Sequence, residues 1–231
     1  MADLDLLLHY FTSLPDFEAA RRGDEFFYAS VPLCVLDAVF SINARYESVQ
    51  ALVRRYCDHF YLPIQRAIDV LPAPEEQITV SQFVAQISAI GPETFANEVV
   101  RNRARTSTVN GILKADACLR FGEVLRQHRV EVLQDLVNRD ADEELVTALE
   151  SVRGQSSGVA VRYFFMLTGA SYLIKPDRMI LRFLTRLLGR TVDGEEAQAM
   201  LSTTAIELRK KYPDITTQIL DYAIWSRERT R

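Results

Sequence analysis

The stretch Leu149-Glu-Ser-Val-Arg-Gly-Gln-Ser-Ser-Gly-Val-Ala-Val-Arg-Tyr-Phe-Phe-Met-Leu167 decides the fold that we expect for this chain. An apolar helix end is followed by Gly154, three small or polar residues and Gly158, after which a second apolar helix begins. Glycine lets the backbone turn sharply. Small residues leave the first amides of the next helix uncovered, where the helix dipole favours a phosphate. The stretch therefore predicts a helical hairpin that presents backbone amides to an anion.

A second signal follows directly, in Lys175-Pro-Asp-Arg178. The proline stiffens the approach, and aspartate is among the preferred residues at the start of a helix. Apolar residues at helical spacing continue to Leu188, and Gly189 closes the segment. We therefore predict a helix that Asp177 begins.

Helical periodicity also dominates the rest of the chain. Leu4, Leu7, Leu8 and Phe11 form one apolar stripe, for example, and Ser81 is expected to cap another short helix. No segment has the alternation of a confident strand. Helices of about 10 to 15 residues joined by short loops predict an all-α fold.

Composition and charge exclude several classes of protein. Of the 231 residues, 48% are hydrophobic and 25% are charged, which is ordinary globular composition. A net charge of −4 argues against a protein that coats nucleic acid non-specifically, although it leaves room for a local basic surface. No apolar run reaches the roughly 18 residues of a membrane helix. We expect a cytoplasmic protein with no membrane partner, and the sequence leaves its oligomeric state open.

The cysteines predict neither disulfides nor a metal site. Cys34, Cys57 and Cys118 lie far apart, and the three histidines are equally scattered. An odd, sparse set of this kind is typical of reduced and mostly buried thiols. We expect no zinc site.

The hairpin and the aspartate turn together resemble the helix-hairpin-helix superfamily of DNA glycosylases, which includes endonuclease III-like and alkyladenine-type enzymes. In that superfamily a proline, a valine and an essential aspartate that opens a helix follow the hairpin, and Asp177 is the matching residue here. Three further stretches resemble family segments in the expected order. Leu36–Arg45 resembles the early helix with its wedge turn, Gly111–Leu119 the central Lys-Ala helix, and Leu220–Trp225 the closing helix.

The resemblance implies a two-lobed, all-α fold. Residues 25–167 would form a central helical lobe that ends in the hairpin, and residues 1–24 plus 168–231 would form the second lobe. It also implies a monofunctional DNA N-glycosylase that removes a damaged or modified base. Asp177 would stabilise the oxocarbenium-like sugar and activate water. The alternative is a non-catalytic module that keeps the fold and binds DNA or a protein partner.

The chain departs from the superfamily's pattern at several positions, as a divergent member. The second hairpin glycine is Ser156, and the apolar residue before it is Gln155. Gly158 stands at the position of the lysine with which bifunctional members cleave the strand, so base removal alone is implied. No cysteine follows Cys118, so no iron–sulfur cluster and no other cofactor is expected. Asn43 stands where many members have a wedge glutamine.

The resemblance implies DNA contacts by a set of residues around Asp177 and the hairpin, and each has a purely structural alternative. The set is Asn43, Gly154, Ser156, Gly158, Arg178 and Arg182. Asp177 can be an ordinary N-cap, and Asn43 can merely end a helix. The arginines at every fourth position from 178 to 190 can be a solvated helix face instead of a phosphate-binding stripe.

Two further groups of residues have the same two interpretations. The three arginines within 101–105 lie in a predicted loop, where they can contact DNA or form a solvated charge run. Tyr28, Tyr46 and Tyr163 are candidates to stack on an extruded base, or else they belong to the core and its rim.

Overall fold

The computed structural model of the chain describes residues 2–15, 17, 26–67 and 70–229. Within these ranges the fold is all-α, as predicted, with helices α1 to α11 and no strand. Extended pairing is limited there to two isolated bridges, Tyr28 with Gln65 and Arg105 with Leu113. In the same ranges, no helix is both long enough and apolar enough to cross a membrane.

By their contacts the residues divide into two compact units. One is Asp24–Gly169, and the other combines Met1–Gly23 with Ala170–Arg231. The glycosylase-like lobes, 25–167 and 1–24 plus 168–231, stay a prediction. We call the two units the central unit and the terminal unit, and each is described by itself.

The central unit is built around one helix that is buried on every side. All residues of Val31–Phe40 are buried, because this segment is apolar around its whole circumference apart from Asp37. It packs against two later helices of the unit, α6 (Lys114–Gln127) and α8 (Val159–Thr168). The helices of the unit are α2 Val31–Phe40, α3 Tyr46–Phe60, α4 Val80–Ile90, α5 Pro92–Thr94, α6 Lys114–Gln127, α7 Glu143–Ser151 and α8 Val159–Thr168.

The terminal unit has its own hydrophobic core. Ile180, Phe183 and Leu184 form the buried face of a strongly amphipathic helix, whose arginines lie on the other side. They pack with apolar residues of the three other helices, including Phe11 and Leu201. The helices are α1 Ala2–Thr12, α9 Arg178–Leu188, α10 Gly194–Arg209 and α11 Thr217–Glu228.

One predicted helix start was wrong. The cap of α4 is Thr79 and not Ser81, because Thr79 Oγ1 accepts from the amide of Gln82 while the Gln82 side chain accepts from the amide of Thr79. This Thr-x-x-Gln capping box satisfies two amides at once. The Ser81 hydroxyl donates instead to Glu131.

Candidate functional site

The predicted hairpin forms between α7 and α8. Gly154 has φ +94° and Gly158 has φ +69°, and both values lie where side chains are rarely tolerated. Gly154 also has no room for a side chain, because a Cβ there would lie 2.3 Å from Cβ of Thr106. Ser156 is exposed between the two glycines. The hairpin therefore depends on both glycines and tolerates serine at the position between them.

The first turn of α8 has no side-chain cap. Its N-cap residue is Gly158, so no side chain of that residue accepts from the first amides of the helix. Open amides at a helix start can bind a phosphate oxygen. One carboxylate stands close by, since Oε1 of Glu150 lies 2.7 Å from where a Cβ of Gly158 would be. The hairpin thus places a negative charge beside the uncapped amides of α8.

Gln155 occupies an interior position of the hairpin. Gln155 is 0% exposed, and neither Oε1 nor Nε2 of its side chain makes a hydrogen bond to any residue that the structure describes. The hydroxyl of Thr106, on the loop that contacts Gly154, is in the same condition. Burying an unpartnered amide costs about 1–3 kcal/mol on mutational scales. The hairpin therefore forms with a glutamine at this interior position, but the buried amide lowers its stability.

The predicted wedge turn follows α2. Asn43 is exposed there with φ +52°, a left-handed conformation that asparagine tolerates. The turn is held from inside by Lys114, which is 3% exposed and whose Nζ donates to the carbonyl oxygens of Phe40 (2.9 Å) and Ile42 (2.5 Å). A cation at this place complements the helix dipole of α2. The sequence singled out Lys114 only as part of a helix and missed this role.

A buried carboxylate with two tyrosines lies on the same helix. Asp37 is 0% exposed, and its Oδ2 accepts from the hydroxyls of Tyr28 (2.8 Å) and Tyr163 (3.3 Å). Burial, followed by the charge of Asp37, raises the pKa of Tyr28 well above its usual value. Tyr28 and Tyr163 are core residues, and the ring of Tyr46 stacks on Phe26 at 5.1 Å. The sequence signal for this cluster is a single charged residue, Asp37, in an otherwise apolar helix.

Asp177 is the N-cap of α9. Its Oδ1 accepts from the amides of Met179 (2.8 Å) and Ile180 (3.2 Å). The prediction that Asp177 is an N-cap is therefore confirmed. Its Oδ2 makes no hydrogen bond to any described residue. The carboxylate is half-buried. One oxygen is therefore fixed by the helix while the other remains available to a ligand.

The segment that leads to Asp177 is held by side chains from α10 and α11. The amide of Ile174 donates to Oε1 of Gln198 (3.0 Å), and Nε2 of Gln198 donates to the carbonyl of Tyr172 (2.8 Å). The amide of Lys175 donates to Oδ1 of the buried Asp221 (3.1 Å). The orientation of the aspartate turn thus depends on residues that come later in the chain.

Two of the four arginines in this series are engaged by carboxylates, namely Arg186 of α9 and Arg190, which lies beyond the end of that helix at Leu188. Arg186 forms an ion pair with Glu228 at 2.6 Å, and Arg190 contacts two carboxylates at 2.7 and 2.6 Å. Arg178 and Arg182 are exposed, and Nε of Arg182 donates to the carbonyl oxygen of Arg178. Arg186 and Arg190 are therefore removed from the predicted phosphate-binding stripe, and the role of Arg178 and Arg182 stays a prediction.

A groove of about 590 Å³ also opens on the terminal unit, but Asp177 does not line it. Tyr10, Phe183 and Leu187 provide its apolar part, and the ion pair of Arg186 with Glu228 borders it. Among the described residues, no three histidine, cysteine, aspartate or glutamate side chains are grouped so as to hold a metal ion. The absence of a cofactor stays a prediction.

The predicted site residues lie in three separate parts of the chain. Gly154, Ser156 and Gly158 share the hairpin of the central unit, whereas Asn43 lies in the turn after α2 of the same unit. Asp177 and the two arginines that follow it belong to the start of α9 in the terminal unit.

Comparisons with known proteins give a family and no described relative. Neither a curated protein nor a solved structure matches the chain. One family model covers nearly the whole chain, including all the predicted site residues. The chain belongs to the family of the domain of unknown function DUF8548, whose model matches residues 7–229.

Proposed function

We propose that the protein is a monofunctional DNA N-glycosylase with Asp177 as its catalytic carboxylate. The observation that carries the proposal is the position of Asp177, which begins α9 directly after Pro176, as the resemblance to the glycosylases implies. Oδ1 caps α9, and Oδ2 makes no hydrogen bond to the residues that the structure describes. The capping bonds fix the carboxylate in place and leave its second oxygen for a ligand; Asp193 shares this arrangement, so it supports the proposal only together with the Pro-Asp turn.

The chemistry follows from the charge that develops on the sugar. When the bond between C1′ and the base nitrogen breaks, its electron pair leaves with the base and the sugar becomes oxocarbenium-like. The negative charge of Asp177 stabilises this state, and the carboxylate accepts a proton from the water whose oxygen bonds to C1′. Gly158 offers no amine for a Schiff base, so the proposal ends at an abasic site.

The hairpin and the wedge turn serve to hold DNA in this proposal. The uncapped amides at the start of α8 donate to a phosphate oxygen, with Gly154, Ser156 and Gly158 keeping the approach clear. Asn43, exposed at the tip of its turn, enters the space that a flipped base leaves. Arg178 and Arg182 contact the backbone.

The test is base release from defined duplexes. Oligonucleotides that carry one uracil, alkylated base or oxidised base are incubated with the protein, and abasic sites are then cleaved with alkali. Asp177→Asn and Asp177→Ser keep an N-cap acceptor but remove the carboxylate. We expect both variants to lose about 100-fold or more in rate, a loss typical of removing an electrostatic catalytic group.

The matched control is Asp193→Asn. Asp193 caps α10 of the same unit in the same way, with Oδ1 accepting from the amide of Glu196 at 2.9 Å. We expect this variant to keep full activity. Unchanged base release by Asp177→Asn, or an equal loss in both variants, would contradict the role of Asp177.

A second candidate is a non-catalytic module that binds DNA or a protein partner. It is favoured by the unpartnered Gln155 inside the hairpin and by the ion pairs that occupy Arg186 and Arg190. Salt-dependent DNA binding without base release, equal in wild type and Asp177→Asn, would support this candidate. An absence of DNA binding at every salt concentration would leave a protein-binding role.

A further inference from the structure

The groove on the terminal unit has an apolar wall that two helices build. The rings of Tyr10 in α1 and Phe183 in α9 lie 4.7 Å apart, with an angle of 55° between their planes. Leu14, just after α1, and Leu187, one turn after Phe183, continue this wall, and both are partly buried. A pocket of about 590 Å³ with apolar walls can bury the body of a small organic molecule, because ligand pockets commonly measure about 300–1,000 Å³.

The guanidinium of Arg186 is held at the border of this groove. Its Nη2 donates to Oε1 of Glu228 at 2.6 Å, and its carbon lies 5.8 Å from the centre of the Phe183 ring. The side chain of Glu228 is 10% exposed, and that of Arg186 is 51% exposed. This pairing commits Arg186 to the groove and not to a phosphate stripe along α9, and half of its side chain remains accessible to a ligand.

Arg186 keeps donors that the chain does not use. Its bond to Glu228 is its only hydrogen bond to a residue that the structure describes. Arginine presents several N–H donors as a planar fork, which binds a carboxylate through two parallel hydrogen bonds. Arg227 also lines the groove, so the described lining carries two cationic side chains and one carboxylate. The remaining donors and the excess of positive charge both favour an anionic ligand.

We propose that this groove binds a small carboxylic acid with an apolar or aromatic body. The apolar body packs on Tyr10, Phe183 and the two leucines, and the carboxylate accepts from the donors of Arg186 that Glu228 leaves unused. Since charge-assisted hydrogen bonds are about twice as strong as neutral ones, the acid binds more tightly than a neutral molecule of the same shape. Asp177 does not line the groove, so the inference is independent of the proposed base removal.

The probes are 4-phenylbutanoate and its uncharged analogue 4-phenylbutanamide, which have the same shape. Binding to the full chain is measured by titration calorimetry, and the fluorescence of Trp225 reports whether the probe lies in the groove. Trp225 is the only tryptophan of the chain and lies about one turn before Glu228 on α11. We expect both probes to change its emission, and the acid to bind about ten-fold more tightly than the amide.

Two variants separate the charge from the apolar wall. Arg186→Lys keeps the charge that pairs with Glu228 but loses the planar fork, so the acid should bind about ten-fold more weakly and the amide as in wild type. Leu14→Phe leaves the ion pair intact and adds volume to the wall, so both probes should bind about five-fold more weakly. This second variant and the comparison of the two probes decide the proposal even if Arg186→Lys does not fold.

The matched control is Arg190→Lys. Arg190 is also a half-exposed arginine of the terminal unit that pairs with carboxylates, those of Asp3 and Glu196, but it does not line the groove. We expect this variant to bind both probes as the wild type does.

Four results would each overturn the proposal. They are no binding of the acid, equal binding of the acid and the amide, an equal loss in Arg186→Lys and Arg190→Lys, and unchanged binding in Leu14→Phe. A second copy of the chain is the alternative occupant, and analytical ultracentrifugation detects it. A concentration-dependent dimer that Leu14→Phe dissociates would also overturn the proposal.

Discussion

The side-chain nitrogen of Lys114, the first residue of α6, lies 2.9 Å from the carbonyl oxygen of Phe40, the last residue of α2. A second bond to the carbonyl of Ile42 extends this contact into the turn that carries Asn43. A buried cation is costly unless hydrogen-bond acceptors surround it. Here it supplies donors to carbonyls that the end of a helix leaves without partners. The predicted wedge turn is therefore held by a contact between two helices that are far apart in the sequence.

Replacing Lys114 with methionine should destabilise the central unit. The carbonyls of Phe40 and Ile42 would lose charged donors in the interior, at a cost of about 3 kcal/mol. Urea unfolding followed by circular dichroism measures the change. Lys210→Met is the control, because Lys210 is exposed and its pair with Glu207 is worth under about 1 kcal/mol. Equal stability of Lys114→Met and wild type would contradict a structural role for the buried amine.

Replacing Gln155 with methionine should stabilise the protein. Methionine has a similar length and volume, and it removes two buried polar atoms that have no partner among the described residues. We expect a gain of about 1–2 kcal/mol in the free energy of unfolding, with an unchanged denaturant slope. Gln127→Met, at an exposed position of α6, should change little. A loss of stability in Gln155→Met would show that the amide is satisfied in solution.

Replacing Gln198 with leucine should affect both stability and the proposed activity. The substitution removes the bonds to Tyr172 and Ile174, so we expect a loss of about 2 kcal/mol in the free energy of unfolding. Because the same bonds orient the approach to Asp177, kcat for base release should fall more than KM rises. Thr203→Ala, an exposed change on the same helix, is the control. A stability loss with normal kcat would show that this clamp does not position the aspartate.

The thiol of Cys57 should be unreactive in the folded protein. Burial, followed by the charge of Asp58, raises the pKa of the Cys57 thiol from 9.0 to about 12. The difference of three pH units lowers the thiolate fraction at pH 8 about a thousand-fold, and the thiolate is the reactive form. Iodoacetamide labelling of Cys57, followed by peptide mass spectrometry, should be slow in buffer and fast in urea. Equal rates in the two conditions would contradict the buried placement.

The same shift makes a statement about alkaline stability. The folded-state pKa lies above the unfolded one, so this contribution is complete below about pH 9 and is lost as the pH rises towards 12. Tyr28 shifts in the same direction and adds to the loss above its usual pKa of 10.0. We expect the unfolding midpoint in urea to fall steadily between pH 9 and 12, and to fall less steeply in Cys57→Ala.

Local sequence signals were enough for the all-α architecture and for several helix ends, although not for the start of α4. The hairpin follows from Gly154 and Gly158, and the start of α9 follows from Asp177, because these features depend on neighbouring residues alone. The all-α architecture follows from the spacing of apolar residues in the same way. The cap of α4 is also a local signal, since Thr79 and Gln82 form a Thr-x-x-Gln capping box, whereas the predicted cap was Ser81. Interactions between neighbouring residues thus account for the hairpin, for the start of α9 and for the cap of α4.

Tertiary packing decided the environments of the candidate site. Three contacts depend on which helices come together. They are the bond from Lys114 to the turn of Asn43, the contact of Thr106 with Gly154, and the bond of Gln198 to the segment before Asp177. Burial is likewise a property of packing, so the sequence does not predict that Gln155 lies in the interior of the hairpin. Sequence periodicity places a side chain on a face of its helix, but the partners of that face come from elsewhere in the chain. The sequence by itself therefore determined the helices and their turns, and the tertiary structure determined which polar groups are held, paired or left available.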